Sequence, residues 1–191
     1  MTASQEKKHR QLIVELALKY HYNEKHSSFV EDTSLKIFDS LKKIHMLGCT
    51  ERALLSHAAL LHDIGNFISE KKHNRHTKYI IDTDEKLEDY PEKEKALLSL
   101  IAYNHRKKLH KDIGIIPKKD REIVMKLSSI LRVADSIDYC RDEMAVKSVS
   151  VDNSTLNITV EGILPERLSG KLWEKKELFN EVFNMDVSLH L

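Results

Sequence analysis

The stretch SHAALLHDIGNFISEKKHNRHTKY, residues 56–79, begins with the pattern of a buried helix. Steps of three and four residues place a set of apolar or small residues on one face of that helix: Leu54, Ala58, Leu61 and Gly65. His62 lies on the same face, and Asp63 follows it directly. A run of cationic side chains and imidazoles comes next. Packing alone does not explain this pair and this run, so the stretch indicates a chemical role as well as a helix.

The remaining periodicity predicts a mainly α-helical protein with a small appendage. Helical spacing of apolar residues continues to about Arg141, and Pro91 starts one helix whose first turn is acidic. Beyond that point VKSVSVDNSTLNITVEG, residues 146–162, alternates as a hairpin, KLWEKKELFNEVFN returns to helical spacing, and MDVSLHL alternates again. We therefore predict a helical domain over residues 1–141 and a ββαβ appendage over residues 142–191 that packs on it.

Composition argues against several classes of protein. The chain has 191 residues, 32% of them charged, and a net charge of only +1, so the positive excess typical of a general nucleic-acid binder is missing. No apolar run reaches the roughly 20 residues of a membrane-spanning helix, and the N-terminal segment is charged where a signal peptide needs its apolar core. Cys49 and Cys140 have no zinc-type spacing. We expect a cytoplasmic protein that can fold without a partner and is compatible with a homodimer.

Four predicted helices, including the one that carries His62, each place a histidine or an aspartate on the side that should face the interior. His26 heads the apolar stripe of the second predicted helix, because Val30 and Ile37 share its face. Asp135 and His105 continue the apolar faces of two later helices in the same way. Burying a carboxylate without a partner costs on the order of several kcal/mol, so these positions need an explanation.

Each position also has an ordinary explanation. A single buried histidine is more often a hydrogen-bonded core residue than a ligand, and Asp135 could pair with Arg132 one turn earlier. Taken together, however, inward imidazoles and carboxylates from separate helices would repel or stay unsatisfied without a cation among them. A divalent metal ion would neutralise the carboxylates and bind neutral imidazoles, so we predict a metal site.

The same residues carry a resemblance to a known superfamily. His26, the pair His62 and Asp63 within LLHDIG, and Asp135 within LRVADSID resemble the H…HD…D motif of the HD superfamily of metal-dependent phosphohydrolases. The chain from His26 onward is similar to the C-terminal HD-type region of the exopolyphosphatase and guanosine pentaphosphate phosphohydrolase family. The segments that carry this similarity are LLHDIGNFISEKKHNRHTKYII, IAYNHRKK, LSSILRVADSID and LWEKKELFNEVFNMDVSL.

The resemblance implies an HD-domain helical bundle whose metal ligands are His26, His62, Asp63 and Asp135. Members of the family carry actin-like domains ahead of this region, which hold their main catalytic machinery, and we expect the present chain to act without them. The residues after HDIG are Asn66 and Phe67. Neither is the acidic residue or the lysine found there in HD enzymes that act on guanosine tetraphosphate or on cyclic dinucleotides.

A second ion and the catalytic groups are also implied by the resemblance. Enzymes of the superfamily with two ions use further histidines in this region, which points to His76 and His105. We expect one or two ions per chain, of manganese, iron, zinc or magnesium. Such an ion would activate water for attack on phosphorus near neutral pH. Asp63 is expected to orient that water, and His105 to act as an acid or a base.

Two basic segments adjoin the predicted site, KKHNRH at residues 71–76 and HRKKLHK at residues 105–111. A charge run is usually a solvated surface, but its position beside the predicted ligands favours a role in binding phosphate. The expected phosphate-binding residues are Lys72, Arg75, Arg106, Lys107 and Arg132.

These observations favour a metal-dependent phosphohydrolase that acts on a phosphoanhydride or phosphoester. The expected substrate is a nucleotide, a guanosine polyphosphate or inorganic polyphosphate. The alternative is a non-catalytic module that uses the same basic groove to bind polyphosphate or a nucleotide.

Overall fold

The computed structural model describes residues 3–106, 108–137, 145–161 and 174–191. Its helices are α1 (Ala3–Lys19), α2 (Glu24–Ser40), α3 (Lys42–His45), α4 (Cys49–Leu61), α5 (His73–Thr83), α6 (Glu92–Tyr103), α7 (Lys118–Ile137) and α8 (Glu177–Phe183). The strands are β1 (Ala145–Asp152), β2 (Thr155–Glu161) and β3 (Asp186–His190). The predicted class, a mainly α protein with a small C-terminal appendage of strands and one helix, is therefore confirmed. The predicted domain boundary at residues 141 and 142 lies outside the described residues.

The centre of the helical part is α4, which packs against α1, α2, α6 and α7. Every residue from Ala53 to Leu61 is buried, so this helix has no solvent-facing side over that length. His62 caps its C-terminal end and is also fully buried. The helix therefore carries the first histidine of the HDIG turn, residues 62–65, into the middle of the bundle.

The HDIG turn is held against α5 by a glycine and a threonine. Gly65 donates its backbone N–H to Thr77 Oγ1 at 3.0 Å, and the same hydroxyl donates to the carbonyl of His62 at 2.9 Å. A Cβ atom on Gly65 would lie only 2.1 Å from the carbonyl oxygen of His73 and 2.4 Å from the amide nitrogen of Thr77. Glycine at this position thus allows the first turn of α5 to lie directly on the HDIG turn.

Changing Gly65 to alanine is expected to lower the free energy of unfolding by about 3 kcal/mol, because backbone atoms of α5 must move to admit the new methyl group. Urea unfolding followed by circular dichroism measures the effect. Gly114→Ala is the matched control, since a Cβ there would meet no atom within 4 Å. Equal stability of the two variants would show that the close approach of α5 is not required.

The appendage is a three-stranded sheet in the order β1, β2, β3. β1 and β2 form an antiparallel hairpin, and Asn153 and Ser154 in its turn have positive φ values of 44° and 62°. β3 pairs with β2 in parallel, which the alternation of the sequence did not predict. Buried residues of this sheet belong to the same hydrophobic core as the helices: Val146, Leu156, Ile158, Val160 and Val187.

Among residues 3–106, 108–137, 145–161 and 174–191, no helix combines the length and the apolar character needed to cross a bilayer.

Candidate metal centre

Two triads of histidine and aspartate lie side by side at the end of α4. Triad 1 consists of His26 on α2, His62 at the C-terminal end of α4, and Asp135 on α7. Triad 2 consists of Asp63, His73 at the start of α5 and His105 just after α6. Within each triad, one nitrogen or oxygen atom per residue lies within 4.8 Å of the others. Five separate segments of the chain thus converge on one small volume.

The two carboxylate oxygens of Asp63 face the imidazoles of different triads. Its Oδ1 lies 3.1 Å from His73 Nε2 and 3.6 Å from His105 Nε2. Its Oδ2 lies 3.7 Å from Nε2 of both His26 and His62. Triad 1 is completed by Oδ1 of Asp135, at 3.6 Å from His26 Nε2 and 3.7 Å from His62 Nε2. The carboxylate of Asp63 therefore lies between the imidazoles of the two triads.

Backbone carbonyls fix the orientation of three of the imidazoles. The Nδ1 atoms of His62, His73 and His105 lie 2.8, 3.1 and 2.6 Å from the carbonyl oxygens three residues earlier in each case. Because a carbonyl can only accept, each Nδ1 carries a proton, so in the neutral form of each ring it is Nε2 that presents a lone pair to the site. This is the tautomer that a metal-binding histidine needs when it uses Nε2.

The Nε2 atoms of the four histidines face each other in pairs. The distance is 2.9 Å between His73 and His105 and 3.0 Å between His26 and His62. In the pair formed by His73 and His105, both Nδ1 atoms carry protons, so the lone pairs of the two Nε2 atoms point at each other. A cation between them would turn this repulsion into two favourable contacts, and the nitrogen and oxygen donors present suit a first-row divalent ion.

The electrostatics of the site also favour positive charge. Burial opposes protonation of His62, but the charges of Asp63 and Asp135 outweigh it and raise its pKa to about 9. Burial by itself would raise the pKa of Asp63, yet the neighbouring imidazoles hold that pKa well below its usual range. Burial, with the adjacent His62, lowers the pKa of His105 to about 3. Both carboxylates are thus ionised and His105 is neutral near pH 7.

Lys175, just before α8, brings a cation from the appendage to triad 1. Its ammonium group donates to Oδ2 of Asp135. Burial would raise the pKa of Asp135, but Lys175 and then His62 keep it well below its usual value. Lys175 was not among the residues predicted from the sequence, because nothing local relates it to α7.

Changing Lys175 to alanine is expected to strengthen divalent-ion binding about five- to tenfold, since ~1 kcal/mol of repulsion between the ammonium and the ion is removed. Titration of the apoprotein with manganese, followed by calorimetry, measures the change. Lys176→Ala is the control, because the ammonium of Lys176 pairs with Asp186 on β3. Weaker binding in Lys175→Ala than in the control would instead show that Lys175 holds Asp135 in place for the ion.

The structure brings together the four first-predicted ligands, His26, His62, Asp63 and Asp135, and places His105 beside Asp63. His76 belongs to neither triad of the described residues. The other histidine of the same basic run, His73, takes part in triad 2 instead. A helical signal for His73 was present in the sequence, because the buried residues Thr77 and Ile80 follow it at four and seven residues.

The predicted phosphate-binding residues lie in different surroundings. Lys72, Arg75 and Arg106 are exposed, whereas Arg132 is only 5% exposed. The guanidinium of Arg132 donates to the carbonyl of Asn104 at 2.6 Å and to that of Arg106. Its contacts therefore support the segment that carries His105. The fifth predicted residue, Lys107, lies outside the described residues.

Comparison with known proteins places the chain in a family. A guanosine-5'-triphosphate,3'-diphosphate pyrophosphatase of Aeromonas hydrophila subsp. hydrophila is 29% identical over 150 residues, which are 74% of this chain and 29% of that protein. A protein of the same name from Aeromonas salmonicida is 35% identical over 88 residues, 46% of this chain and 18% of that protein. The chain thus spans less than a third of the length of these relatives. Residues 10–166 match the family described as Ppx/GppA phosphatase, domain III. Because this match covers most of the chain, the protein belongs to the Ppx/GppA phosphatase domain III family.

Proposed function

We propose that the protein is a metal-dependent phosphohydrolase that cleaves a phosphoanhydride or phosphoester bond of a nucleotide, a guanosine polyphosphate or inorganic polyphosphate. The observation that carries this proposal is the position of Asp63 between two triads of metal-binding side chains. The names of the relatives, which are pyrophosphatases of guanosine 5'-triphosphate 3'-diphosphate, support the class of substrate.

The residues of the two triads fit a pair of divalent ions. Each triad offers two imidazole nitrogens and one carboxylate oxygen, a donor set that suits manganese, iron or zinc, and magnesium less well. When bound, such ions would supply Lewis-acid activation of water and of a phosphoryl oxygen. The protein side chains would hold this assembly in place, because the carbonyls behind His62, His73 and His105 prevent their rings from turning.

The surroundings of two residues refine their proposed roles. Both oxygens of Asp63 face imidazole nitrogens, which favours a role as a shared ligand over that of orienting water. Nε2 of His105 lies 3.6 Å from Asp63 Oδ1 and 2.9 Å from His73 Nε2, which favours a role as a ligand over that of an acid or a base. We therefore assign His105 to ligand binding in triad 2.

The cytoplasm is the compartment that we propose for this activity. Cys49 is exposed and has a free thiol, which suits a reducing environment. Detection of the intact protein in the cytoplasmic fraction of its host would support this compartment.

Turnover by the purified protein tests the proposed function. Protein stripped with EDTA and reloaded with manganese is assayed with guanosine 5'-triphosphate 3'-diphosphate, GTP and inorganic polyphosphate, and released phosphate and pyrophosphate are measured. We expect metal-dependent release from at least one substrate. Tight binding of a substrate without any release would favour the alternative of a non-catalytic binding module. Neither binding nor release from any of the three would contradict both functions.

A further inference from the structure

A concavity lies between α5, the end of α6 and residues 108–111. Its volume is about 630 Å³, within the range of small-molecule sites. Among its lining residues, Tyr103 is buried and Leu109 is half-buried. His110 and four cationic side chains complete the lining; the cations are Arg75, Lys78, Lys108 and Lys111. We call this concavity the basic pocket.

The basic pocket carries more positive than negative charge. Lys78 shares its ammonium with Asp82 at 2.6 Å. Within the described part of the chain, the charged groups of Arg75, Lys108 and Lys111 form no ion pair. The carboxylate of Asp112 lies near His110, at 3.4 Å from its Nδ1. Four cations therefore line the pocket, neither carboxylate belongs to its lining, and three of the cations are available to an anionic ligand.

The basic pocket is separate from the metal centre. Arg75 follows His73 by two residues, which is a rotation of about 200° around the axis of α5, so the two side chains leave nearly opposite sides of the helix. Lys78, three residues after Arg75, stays on the same outer part of the helix. An ion held by triad 2 and a ligand in the basic pocket would therefore lie on different sides of α5.

The lining of the basic pocket also contains an aromatic and an aliphatic surface. Tyr103 packs edge to face with the ring of His110, with 4.6 Å between the ring centres. Asn74 on α5 donates to the backbone carbonyl of Tyr103 at 3.2 Å, which fixes this end of α6 against α5. A flat organic ring can pack on Tyr103 and Leu109 while phosphates meet the cations. An inorganic polyphosphate chain has no group that would use this apolar surface.

We propose that the basic pocket binds a nucleoside polyphosphate at a site distinct from the metal centre. Cationic side chains on its exposed edge would hold the phosphates, and Tyr103 and Leu109 would contact the base. The proposal goes beyond hydrolysis, because a ligand bound on this side of α5 needs neither triad. Binding should therefore persist when divalent ions are removed.

Fluorescence titration with N-methylanthraniloyl GTP in excess EDTA tests the basic pocket. We expect the wild-type protein to bind this probe, and Lys108→Glu/Lys111→Glu to bind it at least tenfold more weakly. Both lysines are exposed, so the double variant should fold normally. Lys118→Glu/Lys119→Glu makes the same change of net charge at exposed positions outside the pocket, and it should bind the probe within about twofold of the wild type. Absence of binding in EDTA, or equal weakening in both double variants, would overturn the proposal.

Two further measurements distinguish the ligand and the site. GTP should displace the probe at a concentration at least tenfold lower than inorganic tripolyphosphate does. Equal displacement by tripolyphosphate would contradict the nucleoside part of the proposal. Asp63→Asn should bind the probe in EDTA as tightly as the wild type, even though hydrolysis is lost. A loss of probe binding in Asp63→Asn would place the nucleotide at the metal centre and overturn the separate site.

Discussion

Asp63→Asn is expected to lose metal from both triads and to lower any phosphohydrolase activity by roughly 10³-fold or more. The reason is the position of the carboxylate, since each of its oxygens faces a different triad. An amide at this position has one oxygen and no negative charge, so it can replace neither contact fully. Plasma mass spectrometry on the protein after manganese loading, with turnover measured on the same sample, tests the expectation.

Two aspartates serve as controls for this result. Asp135→Asn should remove the ion of triad 1 and leave that of triad 2, because the imidazoles that Asp135 Oδ1 faces, those of His26 and His62, belong to triad 1. Asp89→Asn should change neither metal content nor rate, since Asp89 is exposed and pairs with Lys8 at the surface. Full metal retention by Asp63→Asn would show that the carboxylate does not bridge two ions.

The helical part of the fold was predictable because its signals are local. The stretch at residues 56–79 has an apolar face that carries His62, and the structure buries that face in the middle of the bundle. His26 and Asp135 were predicted to face inward from the stripes of their own helices, and both reach triad 1. The hairpin was predictable from alternation and a turn. Helical periodicity fixes which face of each helix is buried, so it also indicates which polar residues meet inside.

Contacts between distant segments were not predictable in the same way. The parallel pairing of β3 with β2 joins strands separated by a helix and by residues outside the description, and alternation does not choose a partner for a strand. The contact of Lys175 with Asp135 joins residues 40 positions apart. Such contacts depend on how the appendage packs on α7, which no local pattern encodes.

His73 was missed although a local pattern for it was present. The run KKHNRH contains two histidines, and the sequence-based prediction named the second, His76. In α5 the buried residues Thr77 and Ile80 follow His73 at four and seven residues, whereas Tyr79, three residues after His76, is exposed. His76 lies about 60° around the helix from His73, near the edge of the buried face, so His73 points inward while His76 is half-buried.

His73→Ala is expected to remove one of two bound ions and to lower turnover about 100-fold or more, while the ion of triad 1 remains. His73 Nε2 lies 3.1 Å from Asp63 Oδ1 and 2.9 Å from His105 Nε2, so its loss leaves triad 2 with two donors. His105→Ala should give the same metal content, because both histidines would bind the same ion.

His76→Ala is the matched control, since it removes an imidazole from the same turn of α5 without touching either triad of the described residues. We expect its metal content and turnover to equal those of the wild type. Thermal unfolding of the three variants separates loss of a ligand from loss of the fold. If His76→Ala lost an ion and His73→Ala kept both, the second site would involve His76 as the sequence first indicated. If His73→Ala kept both ions but turned over slowly, His73 would act on the substrate and would not be a ligand of the second ion.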